Sequence, residues 1–144
     1  MASKVVEILE TMEYGPAPES AAPANAWLDA HDRRFGMFIG GEWTVPGEGR
    51  LFDSVNPANG KPLAQITQAS DEELDRAVAA AQAAFASWSQ APGHVRARYL
   101  YALARQVQKH ARLLAVLETL DNGKPIRETR DIDIPLVAAH FFYH

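Results

Sequence analysis

Leu117-Glu118-Thr119-Leu120-Asp121-Asn122-Gly123-Lys124-Pro125 ends a long amphipathic helix in a defined turn. Val95, Tyr99, Leu103, Val107, Leu114, Leu117 and Leu120 recur at helical spacing and form one apolar face. Gly123 suits the left-handed residue that commonly follows a helix, and Pro125 can start another helix because its missing N–H is not needed there. Upstream, Pro92 fits a first helical position and a break is expected near His110. Downstream, Pro135 is expected to interrupt the chain and leave Leu136 to Tyr143 as an aromatic-rich helical end.

Working back toward the N-terminus, Ser70 and Glu73 form a capping box, and Asp71 and Glu72 favour the positive end of the helix that follows. Leu74, Ala77, Val78, Ala81 and Phe85 give that helix its stripe, Trp88 closes it, and Ala77, Ala80, Ala81 and Ala84 permit close approach to a neighbour. Two hairpins precede it. Phe52 to Val55 and Leu63 to Thr67 flank Asn56-Pro57-Ala58-Asn59-Gly60-Lys61-Pro62, with Asn59-Gly60 as the turn element. Met37 to Ile39 and Trp43 to Val45 flank Gly40-Gly41-Glu42, whose glycines suit the positive φ angles of a tight hairpin. A helix is expected from about Ala24 to Arg34, with Trp27, Leu28 and His31 on one face and Gly36 as its stop, and another over residues 3 to 14 with Ser3 as N-cap.

Three blocks, Met37-Phe38-Ile39-Gly40-Gly41-Glu42-Trp43, Asn56-Pro57-Ala58-Asn59-Gly60-Lys61-Pro62 and the Leu117 to Pro125 run, occur in the order in which similar blocks occur near the N-terminus of NAD(P)-dependent aldehyde dehydrogenases. The resemblance covers about residues 37 to 144. Tyr14-Gly15-Pro16-Ala17-Pro18-Glu19-Ser20 and Ala26-Trp27-Leu28-Asp29 look like the extension of the sixteenth aldehyde dehydrogenase family, whose members are unusually long. The implied organisation is a helical extension over residues 1 to 36, then an incomplete N-terminal part of the cofactor-binding domain over residues 37 to 144. The family fold is α/β. This segment is expected to be mostly α-helical with two antiparallel β-hairpins, lacking the parallel cofactor-binding sheet.

Composition bounds the partners. Hydrophobic residues make up 47% of the 144 and charged residues 22%, the balance of a globular chain. With 14 basic against 18 acidic residues the net charge is −4, and the arginines at 96, 98, 105 and 112 are scattered, so nucleic acid is not an expected partner. Glu7, Glu10 and Glu13 interrupt the first residues and argue against a secretory or transit peptide. No stretch approaches the roughly 18 apolar residues of a membrane span, so a cytoplasmic location is the default expectation. There is no cysteine, which excludes a disulfide framework, cysteine-ligated zinc and a thiol nucleophile.

The resemblance implies a reaction in which a cysteine thiolate attacks an aldehyde, hydride passes to NAD(P), and water releases the acid. The matching cysteine, base glutamate, oxyanion asparagine and cofactor motif all lie beyond the point corresponding to His144. No catalytic and no cofactor-binding residue is therefore assigned, and the chain alone is expected to be inactive. The resemblance also places a structural monovalent cation, sodium or potassium, at Asp121 with oxygens from Ser54 and Val55. Read from the residues alone, Asp121 could instead accept N–H bonds within the Asn122-Gly123 turn.

Other candidates carry less. Gly47-Glu48-Gly49 lacks the third glycine of a dinucleotide fingerprint and reads as a loop. His140 and His144 share a helix face at a zinc-binding spacing, but no third ligand is evident and core aromatics on the same helix account for them. Asp131 and Asp133 diverge on a helix, and Lys61 and Lys124 read as solvated turn residues. Two functional readings follow: the scaffold of an aldehyde dehydrogenase, completed by the remainder of its polypeptide and by homo-oligomer contacts, or alternatively a terminated non-catalytic helical module that binds another protein.

Overall fold

The computed structural model describes residues 19–44 and 50–144; the helix expected over residues 3 to 14 and the Gly47-Glu48-Gly49 loop lie outside them. Helix α1 spans Ala22–Ala30, with Pro23 in its first turn, and buries Ala24 and Leu28. It stops four residues short of Arg34, the end expected with Gly36 as the stop. Asp32 and Arg33 adopt φ of 53° and 51°, a left-handed pair rare outside glycine. Arg33 holds the turn: it donates to Asp29 Oδ1 at 2.6 Å, to Leu63 O at 3.0 Å and to Asn25 Oδ1 at 3.1 Å.

The turn swings Arg34–Phe35 into a short strand, β1. Gly36 is accordingly not the helix stop. A Cβ there would lie 2.3 Å from the Thr44 carbonyl oxygen, so glycine is required for two backbones to pass, not to cap a helix. Strands β2 (Phe38–Ile39) and β3 (Glu42–Trp43) form the first hairpin, and Gly40 and Gly41 take the expected positive φ of 62° and 92°. Glu42 belongs to the strand instead of the turn.

Strands β4 (Arg50–Asn56) and β5 (Lys61–Gln68) pair antiparallel from Arg50↔Gln68 to Asn56↔Lys61, with an irregularity between Ser54 and Val55 where Pro62 stands opposite. The sheet order is β1-β5-β4. Its β1–β5 pair is parallel, Arg34 to Gln65 and Phe35 to Ile66, a pairing that the sequence pattern did not announce. The two antiparallel hairpins and the predominance of helix match the expected α/β character.

Helix α2 (Asp71–Gln90) opens on the anticipated capping box: Ser70 Oγ accepts from the Glu73 N–H at 3.3 Å, and Glu73 Oε2 accepts from the Ser70 N–H at 2.8 Å. Pro92 sits one position before its expected place, as N-cap of α3 (Gly93–Lys109), and the chain breaks at His110 before α4 (Ala111–Asn122). Gly123 follows α4 in the left-handed conformation, φ 80°. Pro125 then caps the short helix α5 (Ile126–Glu128).

The expected interruption at Pro135 does not occur. A π-helical turn over Thr129–Asp133 runs directly into α6 (Ile134–Tyr143), so Pro135 falls in the first turn of a helix, where a missing N–H costs little. Thr129 inside that turn is fully buried and bonds to Ile126 O at 3.1 Å and to Thr119 Oγ1 at 3.0 Å. Helix α6 packs along α3, burying Ala138 and Ala104 and setting Phe142 edge-on to Tyr101 at 5.4 Å.

The central packing joins Leu28 of α1 to Leu63 and Ala64 of β5, with Trp27, Phe35, Ile66, Leu117 and Leu120 around them. Leu28 therefore connects the first helix to the hairpin and to α4. Leu28→Ala should lower stability by about 2–5 kcal/mol, read as a fall in the urea midpoint at constant slope. An unchanged midpoint would show that α1 does not share the fold's main cooperative unit.

Candidate functional site

One place brings oxygen-bearing side chains from distant parts of the chain together. Strand β4 carries Ser54 past the C-terminal turn of α4, and the Ser54 hydroxyl donates to the Asp121 carboxylate. Two features of local sequence create this meeting. Gly123 lets α4 end against the β4–β5 connection, since a Cβ at Gly123 would come within 2.8 Å of Pro57 Cγ. Pro62, opposite Val55, has no N–H to offer the ladder, so the strand is irregular where it passes Asp121.

The turn reading of Asp121 is displaced by this geometry. Asn122, not Asp121, closes the turn: its Oδ1 accepts from the Lys124 N–H at 2.8 Å, and its Nδ2 donates to Glu118. Val55 has an exposed side chain with nothing to offer an ion, so only its backbone oxygen is chemically eligible. Ser54 and Asp121 also edge an open apolar cleft of about 520 Å³ that includes Phe35, Leu63, Leu114 and Glu118. Its floor is hydrocarbon, and the polar groups on its rim are a hydroxyl and two carboxylates. That set suits a hard cation and contains no thiol.

The remaining candidates separate. His140 and His144 stack with ring centres 6.5 Å apart, and no group of three metal-ligating side chains occurs among the described residues. Asp131 pairs with Arg130 at 2.6 Å, whereas Asp133 pairs with Lys124 at 2.5 Å, so the two carboxylates do diverge. Lys61 is exposed but is not the expected turn residue: it opens strand β5 and stands opposite Asn56. Lys124 differs from that expectation: its ammonium is bonded to Asp133, which raises its pKa above the ordinary lysine value and ties the turn to the π-helical segment.

A second tie escaped the sequence pattern. Arg130 reaches Glu19 at 2.5 Å, and its hydrogen bond holds the Glu19 carboxyl below its ordinary pKa. No periodicity or motif links residues so far apart, whereas the short-range Asp131 pair is lowered by the same guanidinium.

Comparison with known proteins places this architecture. The model of the aldehyde dehydrogenase family matches residues 43–144. The chain belongs to the aldehyde dehydrogenase family. It is 42% identical over 110 residues to an acetaldehyde dehydrogenase of Pseudomonas aeruginosa, covering 76% of this chain and 22% of that protein. A probable aldehyde dehydrogenase of Mycobacterium tuberculosis is 39% identical over 116 residues, 81% of this chain and 23% of its own length.

Among solved structures, HpcC from Thermus thermophilus superposes with a TM-score of 0.77 at 32% identity over 84% of this chain and 24% of that one. An NAD+ complex of a Bacillus cereus aldehyde dehydrogenase gives 0.75 at 37% identity over 81% and 24%. The chain thus spans about a quarter or less of the length of these family members, 22% to 24%.

The Glu19–Arg130 tie has a defined pH dependence. Because the folded-state pKa of Glu19 lies below its unfolded value, its contribution is complete above the ordinary glutamate pKa and disappears as pH falls through the folded value. Glu19→Gln should flatten the acid limb of a plot of urea midpoint against pH. If wild type and variant lose stability in parallel over that range, the pair contributes nothing.

Proposed function

We propose that this chain is the N-terminal scaffold segment of an NAD(P)-dependent aldehyde dehydrogenase that oxidises an aldehyde to a carboxylic acid. Residues 1 to 36 are assigned to an N-terminal extension, of the kind found in the long sixteenth family, and residues 37 to 144 to the start of the cofactor-binding domain. The hairpins and helices cover a parallel sheet supplied by the remainder of the polypeptide, in a cytoplasmic homo-oligomer. No residue of this segment is catalytic. NAD(P), when bound, would supply the hydride acceptor, and on this reading the attacking thiolate belongs to the remainder of the polypeptide, since this segment has no cysteine.

The observation that carries this reading is the apolar face of α2. This 20-residue helix buries none of its side chains, and Leu74, Val78, Phe85 and Trp88 remain 58%, 48%, 66% and 41% exposed. Four large apolar groups at helical spacing form a face built for burial, each able to contribute about 1.5–3 kcal/mol once covered. A helix capped and patterned this carefully would be a liability on a free surface. Its pattern makes sense as one side of an interface whose other side is more of the same enzyme.

Beside this, Ser54, Val55 and Asp121 are proposed to hold the structural sodium or potassium ion. The Asp121 carboxylate and the backbone oxygens of Ser54 and Val55 fit a hard cation, and a positive charge there offsets a carboxylate standing at the negative end of α4. The ion would join the hairpin to the helix without entering the chemistry. Asp121→Asn should abolish any difference in thermal midpoint between potassium chloride and an organic-cation salt at equal ionic strength. A difference that survives the substitution excludes this site as its origin.

For the scaffold reading, the purified chain incubated with an aldehyde and NAD or NADP should form no more reduced cofactor than a heat-denatured control, and it should bind a hydrophobic dye through the α2 face. Cofactor reduction above the control rejects the reading. A cooperative monomer that binds no dye and captures a defined protein would support the helical interaction module instead.

A further inference from the structure

The tetrapeptide Asn-Gly-Lys-Pro occurs twice, as Asn59-Gly60-Lys61-Pro62 and as Asn122-Gly123-Lys124-Pro125. The two copies also fold alike. Each glycine is left-handed, with φ of 68° and 80°. Each asparagine Oδ1 accepts from the following lysine N–H, at 2.9 Å and 2.8 Å. Each glycine N–H donates to the carbonyl four residues back, Gly60 to Asn56 at 2.8 Å and Gly123 to Thr119 at 3.0 Å. One ends a β-turn, the other a helix.

Asparagine followed by glycine is the sequence most open to attack of the next backbone nitrogen on the side-chain amide, because glycine places no Cβ in the path. The Oδ1 hydrogen bond polarises that amide in both copies, and both glycine nitrogens must first release one hydrogen bond. Sequence and turn geometry are therefore matched, and any difference in reactivity comes from the surroundings.

Those surroundings differ in three ways. Asn122 donates its Nδ2 to Glu118, whereas nothing among the described residues accepts from Asn59 Nδ2. Gly123 is seated against Pro57, where a Cβ would come within 2.8 Å of a ring carbon, whereas a Cβ on Gly60 would meet nothing within 4 Å. Lys124 is anchored by Asp133, whereas Lys61 is exposed.

We propose that Asn59 is a site of spontaneous deamidation and that its twin, Asn122, is protected by the α4–π-turn junction. Gly60 N, after losing its proton to solvent base, bonds to Asn59 Cγ. The Cγ–Nδ2 bond breaks, and the nitrogen takes up a proton and leaves as ammonia. One water then opens the cyclic imide at either carbonyl, giving aspartate or, with the chain rerouted through the side chain, isoaspartate. The net change is one amide and one water converted to one carboxylic acid and ammonia, with no oxidant. The product adds a negative charge to the β4–β5 connection, and the isoaspartate form lengthens its backbone beside the Asn56↔Lys61 pair.

The test is peptide mapping by mass spectrometry of the intact 144-residue chain after incubation in mildly alkaline buffer, with and without guanidinium chloride. In native buffer Asn59 should convert about tenfold faster than Asn122, the factor carried by roughly one additional net hydrogen bond opened before attack. In denaturant the two identical tetrapeptides should convert at comparable rates. Asn59→Gln should remove the fast component without altering the slow one. Equal native rates, faster loss of Asn122, or an Asn59 advantage that persists in denaturant would each overturn the proposal.

Discussion

The fold depends on the packing of Leu28 against Leu63 and Ala64. Through it one helix, one hairpin and the end of α4 share an apolar seam. This packing is possible only because α1 stops early: the left-handed Asp32–Arg33 pair reverses the chain and lays β1 beside β5. Left-handed conformations in two consecutive non-glycine residues carry a steric cost of order 1–3 kcal/mol each. The Arg33 guanidinium, bonded to Asp29, Asn25 and Leu63, helps to offset that cost.

What could be read from the residues was what they decide locally. Ser70 and Glu73 cap α2 because their own backbone and side chains complete the box, and Gly40, Gly41 and Gly123 sit at positive φ because the turn geometry favours residues without a Cβ. Asn59-Gly60, as the turn element between Phe52 to Val55 and Leu63 to Thr67, likewise announced the β4–β5 hairpin. The end of α1 was not legible in this way: Gly36 offered a stop that put the end near Arg34, and only the distant Leu63 carbonyl, which Arg33 grips, reveals why the helix yields. The parallel β1–β5 pair and the π turn share that origin in tertiary contact.

The candidate site divides similarly. Ser54 and Asp121 do meet, but their association was inferred through family resemblance, because 67 positions separate them and no periodicity spans that distance. The role of Asn122 as the turn-closing side chain was assigned to its neighbour, since Asp and Asn compete for the same backbone N–H groups. Lys124 was misread because its partner, Asp133, is presented by a helical turn of unusual pitch. Among the described residues polar ties gather at the Arg33 turn and around α4 with the segment after it, while α2 contributes its own cap and an apolar face that is largely exposed apart from Trp88 against Tyr99.

The π turn over Thr129–Asp133 sets the rotational phase of everything that follows. A helical residue advances about 100° around the axis, so a turn wound one residue wide offsets α6 by more than a quarter of a revolution from the face that an uninterrupted α-helix would present. That offset brings Ala138 onto α3, where the absence of bulk allows two helices to nestle. The stacking of the C-terminal helix thus depends on an angular setting, held by the buried hydroxyl of Thr129, as well as on the apolar side chains that meet at the contact.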